Sequence, residues 1–312
     1  MPLADVQECR GFDGAEFPVL TKHAFTELIW DPLSIWAAPE NTADRVFTDR
    51  SLSNPLTAHV PFMNKTTSPE NSATWLRGDK LTTAPLDSNL LDRELYDVDP
   101  VRRGAAYPRQ RSYHGYFWMA STGEHVWHES LLERDCLMWL DWATDLVAIS
   151  SQPVKLTTAD GEVHYPDLLG LDANGTQTVY DVKPLARIND NARAQFEWTR
   201  DVCEDIGWDY RVLTELPIQY KVNLTWLAQF RHHGHHPGAA EETSVLESFR
   251  EGWTIHDAVR AMPAHSTARA RSNVFHLLWT GALTCDMDAR MSDRTLLRPR
   301  HTARQEFPNA LA

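Results

Sequence analysis

Apolar residues recur at helical spacing in the second half of the chain. The clearest example is 130–142, where one helix face would consist of Leu132, Cys136, Trp139 and Leu140. Ser130 can cap the start of this helix. The same periodicity predicts five further helices, over 190–206, 219–231, 241–250, 254–260 and 267–278.

Between the first two helices the pattern changes to short runs of β-branched and aromatic residues, which are typical of strands. The central pair of runs flanks Asn174–Gly175, a strong signal for a two-residue hairpin turn. Further strands are predicted at 114–118, 125–128, 146–149, 154–156 and 208–213. The alternation of helices and strands indicates a layered α/β domain.

The two ends of the chain differ in how much their patterns reveal. Residues 39–100 are rich in Asn, Ser, Thr, Pro and Asp, which predicts irregular or loosely packed structure. After the last helix, 281–286 and 295–297 predict two short strands. Three helices and a small hairpin outline a winged helix, and a plain helical appendage fits this pattern equally well.

The candidate chemistry lies on the central hairpin. Asp167 begins its first strand, and Asp181, Val182 and Lys183 end its second. Because side chains alternate along a strand, Asp181 and Lys183 share one face, and the turn brings Asp167 beside them. Two converging carboxylates repel each other unless a cation lies between them. Mg2+ is the natural occupant, and Mn2+ is expected to substitute for it.

Two other polar features each allow two interpretations. Glu133 is either a helix-capping glutamate, three residues after Ser130, or a third metal carboxylate offered by the helix. The histidines of 232–236 resemble a metal cluster, but a polar linker between domains is favoured. Adjacent histidines in a loop bounded by Gly and Pro rarely converge on one ion without other ligands.

The net charge of −13 disfavours a protein that binds DNA tightly by itself, since phosphate contacts need cations. The charge is unevenly distributed, because residues 1–100 carry about twice as many acids as bases. Cations concentrate in the last sixty residues, which contain Arg260, Arg269, Arg271, Arg290, Arg294, Arg298, Arg300 and Arg304. Any contact with DNA should therefore be local, and a partner should deliver the chain to DNA.

Four arginines are the candidates for such a local contact. Arg109 and Arg111 lie in a segment where arginines interleave with tyrosines, which suits either a DNA-contacting arm or a basic connector. Arg269 and Arg271 lie in the arginine-rich region near the end of the chain.

The remaining composition favours a soluble, cytoplasmic protein. The four cysteines are scattered and form no CxxC pair, which argues against zinc ribbons and disulfide scaffolds. No apolar run approaches transmembrane length, and the first residues lack the features of a signal peptide. No membrane contact is expected.

Several stretches together resemble the TnsA-like endonuclease subunit of heteromeric transposases, in its actinobacterial branch. The likeness runs from about Val101 to Pro237. Each stretch is weak singly, but their order and spacing are specific. They are Ser121–Gly123, Glu129–Asp135, Ser151–Pro153, Pro166–Asp167, Asp181–Pro184, Gly207–Arg211 and Asn223–Leu227.

The resemblance implies a fold and a division of the chain. The fold would be α/β, with a restriction-endonuclease-like PD-(D/E)xK core and a C-terminal helical, winged-helix-like domain. The expected segments are an N-terminal extension over 1–100, a nuclease domain over 101–231, a His-rich linker over 232–240, the winged-helix-like domain over 241–300 and a tail over 301–312.

The resemblance also implies an activity and a set of site residues. The chain would be a Mg2+-dependent endonuclease that cuts one strand, on the 5′ side, at transposon ends. The carboxylates of Glu133, Asp167 and Asp181 would hold the metal, with the Val182 carbonyl as a further ligand. Lys183 would act on the attacking water, and Gln152 would support the site.

The same resemblance implies partners, and two alternatives remain open. A DDE-type transposase would cut and join the 3′ ends, and an ATP-dependent transposition regulator is a further candidate partner. One alternative is a stand-alone restriction or repair nuclease with the same core. The other is a non-catalytic, nuclease-like scaffold that docks a transposase.

Overall fold

The structure is a computed structural model that describes residues 71–102, 113–299 and 307–308. The predictions for residues 1–70, for the basic segment with Arg109 and Arg111, and for most of the tail lie outside the described residues. The described residues form a mixed α/β fold with several small sheets.

From residue 113 onward, the elements follow the predicted order of helices and strands. The helices are α1 (Leu131–Ala143), α2 (Asp190–Ile206), α3 (Ile218–Leu227), α4 (Ala239–Ser248), α5 (Ile255–Ala261) and α6 (Thr267–Trp279). The strands are β1 (Ser72–Arg77), β2 (Lys80–Pro85), β3 (Gly115–Trp118), β4 (His125–His128), β5 (Leu146–Ser151), β6 (Lys155–Thr157), β7 (Val163–His164), β8 (Leu168–Asp172), β9 (Gln177–Val182), β10 (Asp209–Leu213), β11 (Leu283–Cys285) and β12 (Leu297–Pro299).

The central sheet has the strand order β10-β9-β8-β5. Strands β5, β8 and β9 are antiparallel neighbours, whereas β10 runs parallel to β9. A parallel connection needs a crossover, and α2 provides it between β9 and β10. β8 and β9 are the two middle strands of this sheet. Asp167 precedes β8 and Lys183 follows β9, so the candidate residues lie at the same end of this middle pair.

The central sheet is covered on both faces. Leu168 and Tyr180 are directly paired across β8 and β9, and they join the apolar core that contains α1 and α3. The next pair, Leu169 and Val179, joins the core on the side of α2. This alternation places helices on both faces of the sheet, and it explains why β8 and β9 read as nearly continuous apolar runs.

Residues 71–100 contradict the prediction of irregular structure. Strands β1 and β2 form a hairpin, and β1 also pairs with β6 to build a second sheet of order β2-β1-β6-β7. Trp75, Leu90 and Leu95 are buried and share a core with α2. The polar composition of the segment misled the prediction, because a few apolar residues supply the buried face while polar residues occupy exposed positions.

The predicted hairpin between β8 and β9 forms, but its turn is longer than two residues. The last paired residues are Leu171 and Gln177, and only Gly175 has a positive φ, of 85°. Asp172 explains the difference, because its Oδ1 accepts hydrogen bonds from the backbone N–H groups of Asn174 (2.8 Å) and Thr176 (3.1 Å). An Asp that bonds to the following backbone stabilises a wider turn than the Asn-Gly pair alone predicts.

The C-terminal elements are the three predicted helices and the predicted small hairpin. Helix α6 packs into the same apolar core as α1, and Trp142 Nε1 donates to the Leu278 carbonyl at 3.0 Å. The Asn223 side chain on α3 donates to the carbonyls of Met287 and Ala289, both at 2.8 Å. These bonds attach the loop between β11 and β12 to α3.

The His-rich segment lies against α6. His235 Nδ1 is 2.6 Å from Ser272 Oγ, and His236 Nε2 is 2.9 Å from Glu242 Oε2. Arg269 donates to the carbonyls of Gly234 (2.8 Å) and His236 (3.2 Å). His235 and His236 therefore have partners other than a shared ion.

None of the helices in the described ranges combines the length and the apolar character needed to cross a bilayer.

We expect Leu90→Ala to lower the free energy of unfolding by about 2–5 kcal/mol, because it empties a fully buried position in the second core. The matched control is Leu81→Ala, which truncates the same side chain where it is 62% exposed on β2. This control should change the free energy by less than about 0.5 kcal/mol. Urea unfolding followed by tryptophan fluorescence measures both, and equal midpoints for the two variants would contradict the described packing of residues 71–100.

Candidate functional site

The hairpin formed by β8 and β9 opens onto a cavity of about 270 Å³. Four of the residues that line it are the predicted Asp167, Asp181, Val182 and Lys183. The rest of the lining consists of Arg102, Val163, His164, Tyr165, Gln195 and Phe196. The structure therefore brings together the residues of the hairpin that were predicted to converge.

Asp167 is held between two strands at the start of β8. Its backbone N–H donates to the Tyr180 carbonyl at 3.1 Å, and its carbonyl accepts from the backbone N–H of Gln152 at 2.8 Å. Its Oδ2 accepts from the Val182 N–H at 2.7 Å. Burial raises the pKa of Asp167 well above its usual range, and the nearby charges of Asp181 and Glu133 raise it further.

Asp181 is the most deeply buried acid of the cavity, with 3% of its surface exposed. Its Oδ2 accepts from the Tyr210 hydroxyl at 2.5 Å, and His164 Nε2 lies 3.0 Å from Oδ1 and 2.9 Å from Oδ2. Burial and the adjacent Asp181 carboxylate raise the pKa of Tyr210, which keeps the hydroxyl protonated as a donor. The carboxylate therefore has a fixed orientation.

Lys183 follows β9 directly. Its backbone N–H donates to the Leu213 carbonyl at 2.9 Å, which attaches this position to the end of β10. The half-buried side chain lines the cavity with the two aspartates. Lys183 and Gln195 also line a larger adjoining depression of about 590 Å³, which Arg187, Asn189 and Asn191 share. The lysine thus stands where the two spaces meet.

Glu133 lies in the first turn of α1, whose cap is Ser130. Ser130 Oγ accepts from the Glu133 N–H at 3.2 Å, while the Glu133 carboxylate accepts from the Glu129 N–H (2.7 Å) and from Ser130 Oγ (2.9 Å). Glu133 is not among the described residues that line the cavity. Its charge nevertheless contributes to the raised pKa of Asp167. Ser130 therefore caps α1 as predicted, whereas the Glu133 carboxylate bonds to the residue before the cap and not to the Ser130 N–H that a capping box would use. A role of Glu133 as a metal ligand stays a prediction.

Gln152 lies behind Asp167 rather than in the cavity lining. Its backbone N–H donates to the Asp167 carbonyl, and its backbone carbonyl accepts from the Val101 N–H at 3.0 Å. Its φ of 45° falls in the left-handed region, which costs a residue with a side chain about 1–3 kcal/mol. Its Oε1 is buried without a hydrogen-bond partner in the described part of the chain. Gln152 therefore supports the site mainly through its backbone.

The two C-terminal DNA-contact candidates have partners within the chain. Arg269 holds the His-rich segment, as described above, and Arg271 forms an ion pair with Asp293. The hydrogen bond to Asp293 raises the pKa of Arg271. Neither arginine lines the cavity among the described residues, so any contact with DNA would use their outer, exposed surfaces.

Four residues of the site were not among the predicted site residues, although Arg102 belongs to the segment of arginines and tyrosines that suits a DNA-contacting arm. Arg102 lines the cavity and lies 5.1 Å from the centre of the Tyr165 ring. His164, Gln195 and Tyr210 form the hydrogen-bonded group around Asp181. His164 begins the stretch that carries the aspartates, and Tyr210 lies in one of the stretches of the resemblance. These two positions in the sequence could have pointed to the residues. Neither of them predicts that His164 and Tyr210 contact Asp181.

The donor set fits a divalent cation in part. The described residues contain no group of three or more His, Cys, Asp or Glu side chains arranged to hold a metal. Mg2+ does not require such a group, because it is commonly held by one or two carboxylates together with water and substrate phosphates. Asp167 and Asp181 supply two carboxylates at one cavity, and their mutual repulsion is what a cation would relieve.

Comparisons with known proteins add no assignment. The chain matches no protein-family model, and no curated protein is significantly similar to it in sequence. The resemblance to TnsA-like subunits therefore depends on the motifs quoted above.

Asp167 should make stability depend on pH. Its raised pKa means that the folded chain binds this proton more tightly than the unfolded chain does. The contribution to stability is then full below the unfolded pKa of about 4 and is lost as the pH rises toward the folded value. We expect Asp167→Asn, which removes this titration, to gain stability over the unsubstituted chain at pH 8 and less at pH 5.

Urea unfolding at the two pH values, with EDTA present, measures this gain. The control is Asp209→Asn, which replaces an exposed carboxylate on β10 and should change the free energy of unfolding by less than about 0.5 kcal/mol. A gain from Asp167→Asn that is the same at both pH values would show that Asp167 does not bind its proton more tightly in the folded chain.

Proposed function

We propose that this chain is the metal-dependent DNA endonuclease subunit of a heteromeric transposase, which cuts one strand on the 5′ side of transposon ends. The observation that carries the proposal is the cavity where Asp167, Asp181 and Lys183 meet. An acid whose pKa is strongly raised, chiefly by burial and further by a neighbouring acid, is typical of functional sites.

The described elements are compatible with the finer fold that this function requires. An antiparallel β8–β9 hairpin, a crossover helix and a parallel β10 support a restriction-endonuclease-like PD-(D/E)xK core. Helices α4, α5 and α6, followed by the β11–β12 hairpin, support a winged-helix-like domain. Both assignments are part of the proposal.

The residues of the cavity have distinct roles in the proposed reaction. Asp167, Asp181 and the Val182 carbonyl would hold Mg2+, for which Mn2+ would substitute, and Glu133 would be a further ligand. When bound, the cation lowers the pKa of a coordinated water and neutralises charge on the phosphate. Lys183 orients or deprotonates the attacking water, or stabilises the developing negative charge. Gln152 holds the backbone of Asp167 in place.

The charge of the chain supports a partner-dependent enzyme. A net charge of −13 opposes tight binding to DNA, and the described Arg269 and Arg271 have partners within the chain. A DDE-type transposase that binds the element's ends would place the cavity at the correct phosphodiester. An ATP-dependent transposition regulator would be a further partner of the same complex.

A second candidate is a nuclease-like scaffold that docks a transposase without cutting. The observation in its favour is the engagement of the acids with protein donors. The Glu133 carboxylate accepts two hydrogen bonds at the start of α1, and Asp181 accepts from His164 and Tyr210. The intact combination of Asp167, Asp181 and Lys183 favours the catalytic function over this candidate.

We expect Lys183→Ala to reduce the nicking of a plasmid that carries the element's ends by about 100-fold or more, because the side chain acts on the reacting groups. The assay contains Mg2+ or Mn2+ and the co-encoded transposase. The control is Lys80→Ala, which removes an exposed lysine on β2 and should leave nicking unchanged. Full nicking by a folded Lys183→Ala variant would contradict the assignment.

The same assay without the transposase separates the remaining functions. Lysine-dependent nicking only in the presence of the transposase is the expected result for a transposase subunit. Lysine-dependent nicking by the chain alone would indicate a stand-alone nuclease instead. Absence of nicking under both conditions, with a transposase shown to be active, would favour the scaffold.

A further inference from the structure

His164 is a buried residue whose two ring nitrogens face different partners. It lies at the end of β7, in the second sheet, and is 9% exposed. Its Nε2 contacts the Asp181 carboxylate at 2.9 to 3.0 Å. Its Nδ1 is 2.8 Å from the side-chain nitrogen of Gln195, on α2.

These contacts determine which nitrogen of His164 carries the proton. The Gln195 amide nitrogen can only donate, so Nδ1 must accept with its lone pair. An imidazole that accepts at Nδ1 carries its proton on Nε2, where it donates to the acceptor-only carboxylate of Asp181. Gln195 thus fixes the tautomer, and the tautomer makes His164 a donor to Asp181.

A second donor completes the grip on the same carboxylate. The Tyr210 hydroxyl on β10 donates to Asp181 Oδ2 at 2.5 Å. The two donors come from different elements, since His164 belongs to the second sheet and Tyr210 to the central one. Rotation of the Asp181 side chain would break both contacts, so its orientation toward the cavity is set by the surrounding structure.

We propose that His164, with its tautomer fixed by Gln195, is a positioning residue that orients the Asp181 carboxylate for divalent-cation binding. This inference rests on the proposed function in so far as Asp181 is a metal ligand there. Groups that hydrogen-bond to a metal ligand typically contribute 10–100-fold to metal affinity or activity. The role assigned to His164 is to donate a hydrogen bond to Asp181, not to act as a metal ligand.

Two variants of similar size separate hydrogen-bond donation from packing. In His164→Gln the side-chain amide nitrogen can reach the position of Nε2, so a donor to Asp181 remains. In His164→Asn the amide nitrogen reaches only the position of Nδ1, so that donor is lost. We expect His164→Asn to weaken Mn2+ binding to the full-length chain by about 10–100-fold, and His164→Gln to bind close to the unsubstituted chain.

Mn2+ alone is the probe, and titration calorimetry of the full-length chain gives a readout that does not depend on cleavage. The control is His276→Asn, which changes another buried histidine whose Nδ1 contacts the Phe230 carbonyl at 2.7 Å, outside the cavity. It should leave Mn2+ binding unchanged. Urea unfolding of each variant verifies that the protein titrated is folded.

The nicking assay gives a second readout that a purely structural role would not produce. With the transposase present, the Mn2+ concentration for half-maximal nicking should rise in His164→Asn. The rate at saturating Mn2+ should then approach that of the unsubstituted chain, because a weakened site can still be filled.

Each outcome bears on the inference. Unchanged Mn2+ affinity in folded His164→Asn would overturn it, as would equal losses in the Asn and Gln variants. Absence of Mn2+ binding by the unsubstituted chain would overturn it too, since there would be no site to position. A last outcome separates the two proposals. If His164→Asn binds Mn2+ more weakly than His164→Gln and the unsubstituted chain, but the chain does not nick with an active transposase, the positioning role is supported and only the proposed function is contradicted.

Discussion

Two carboxylates buried next to each other form the constraint on which the rest of the site depends. Removing an ionised group from water costs several kcal/mol unless donors or opposite charges compensate. Here hydrogen-bond donors supply that compensation. The Val182 N–H donates to Asp167, and His164 and Tyr210 contact the carboxylate of Asp181. What remains uncompensated appears as the raised pKa of Asp167. Burial is the largest cause of that rise and the charge of Asp181 is the next, and a divalent cation bound at both carboxylates would stabilise their charged forms. Lys183 lines the same cavity.

The supports of this arrangement come from distant parts of the chain. His164 reaches Asp181 from a second sheet, whose strands β1 and β2 belong to residues 71–102. The same segment supplies Val101, which bonds to Gln152 behind Asp167, and Arg102 in the cavity lining. Residues 71–102, which include the described part of the predicted N-terminal extension, are therefore part of the framework of the site. Loss of their packing should disturb the aspartates as well as the stability of the fold.

The C-terminal region raises a related point about charge. In the sequence its arginines suggest a DNA-binding surface. In the structure Arg269 donates hydrogen bonds to the His-rich segment, and Arg271 forms an ion pair with Asp293. A cation with an internal partner offers less attraction to phosphate than a free one. Together with the net charge of −13, this agrees with the proposal that a partner places the chain on DNA. Glu133 likewise has partners within the chain, because its carboxylate accepts two hydrogen bonds at the start of α1.

Local patterns in the sequence determined the helices, the hairpin between β8 and β9 and the meeting of Asp167 with Asp181 and Lys183. Helical periodicity, caps and strand alternation act over a few residues, so they can be read directly. Local patterns did not reveal that residues 71–100 form strands or that the turn at Asp172 is wider than two residues. They also did not reveal that His164, Gln195 and Tyr210 surround Asp181. The turn is a local feature that the Asn-Gly signal does not describe, because it depends on the hydrogen bonds that Asp172 accepts from Asn174 and Thr176. The strands of residues 71–100 and the group around Asp181 depend on contacts between residues far apart in the chain, such as β1 with β6 and His164 with Gln195, and only tertiary packing brings such residues together.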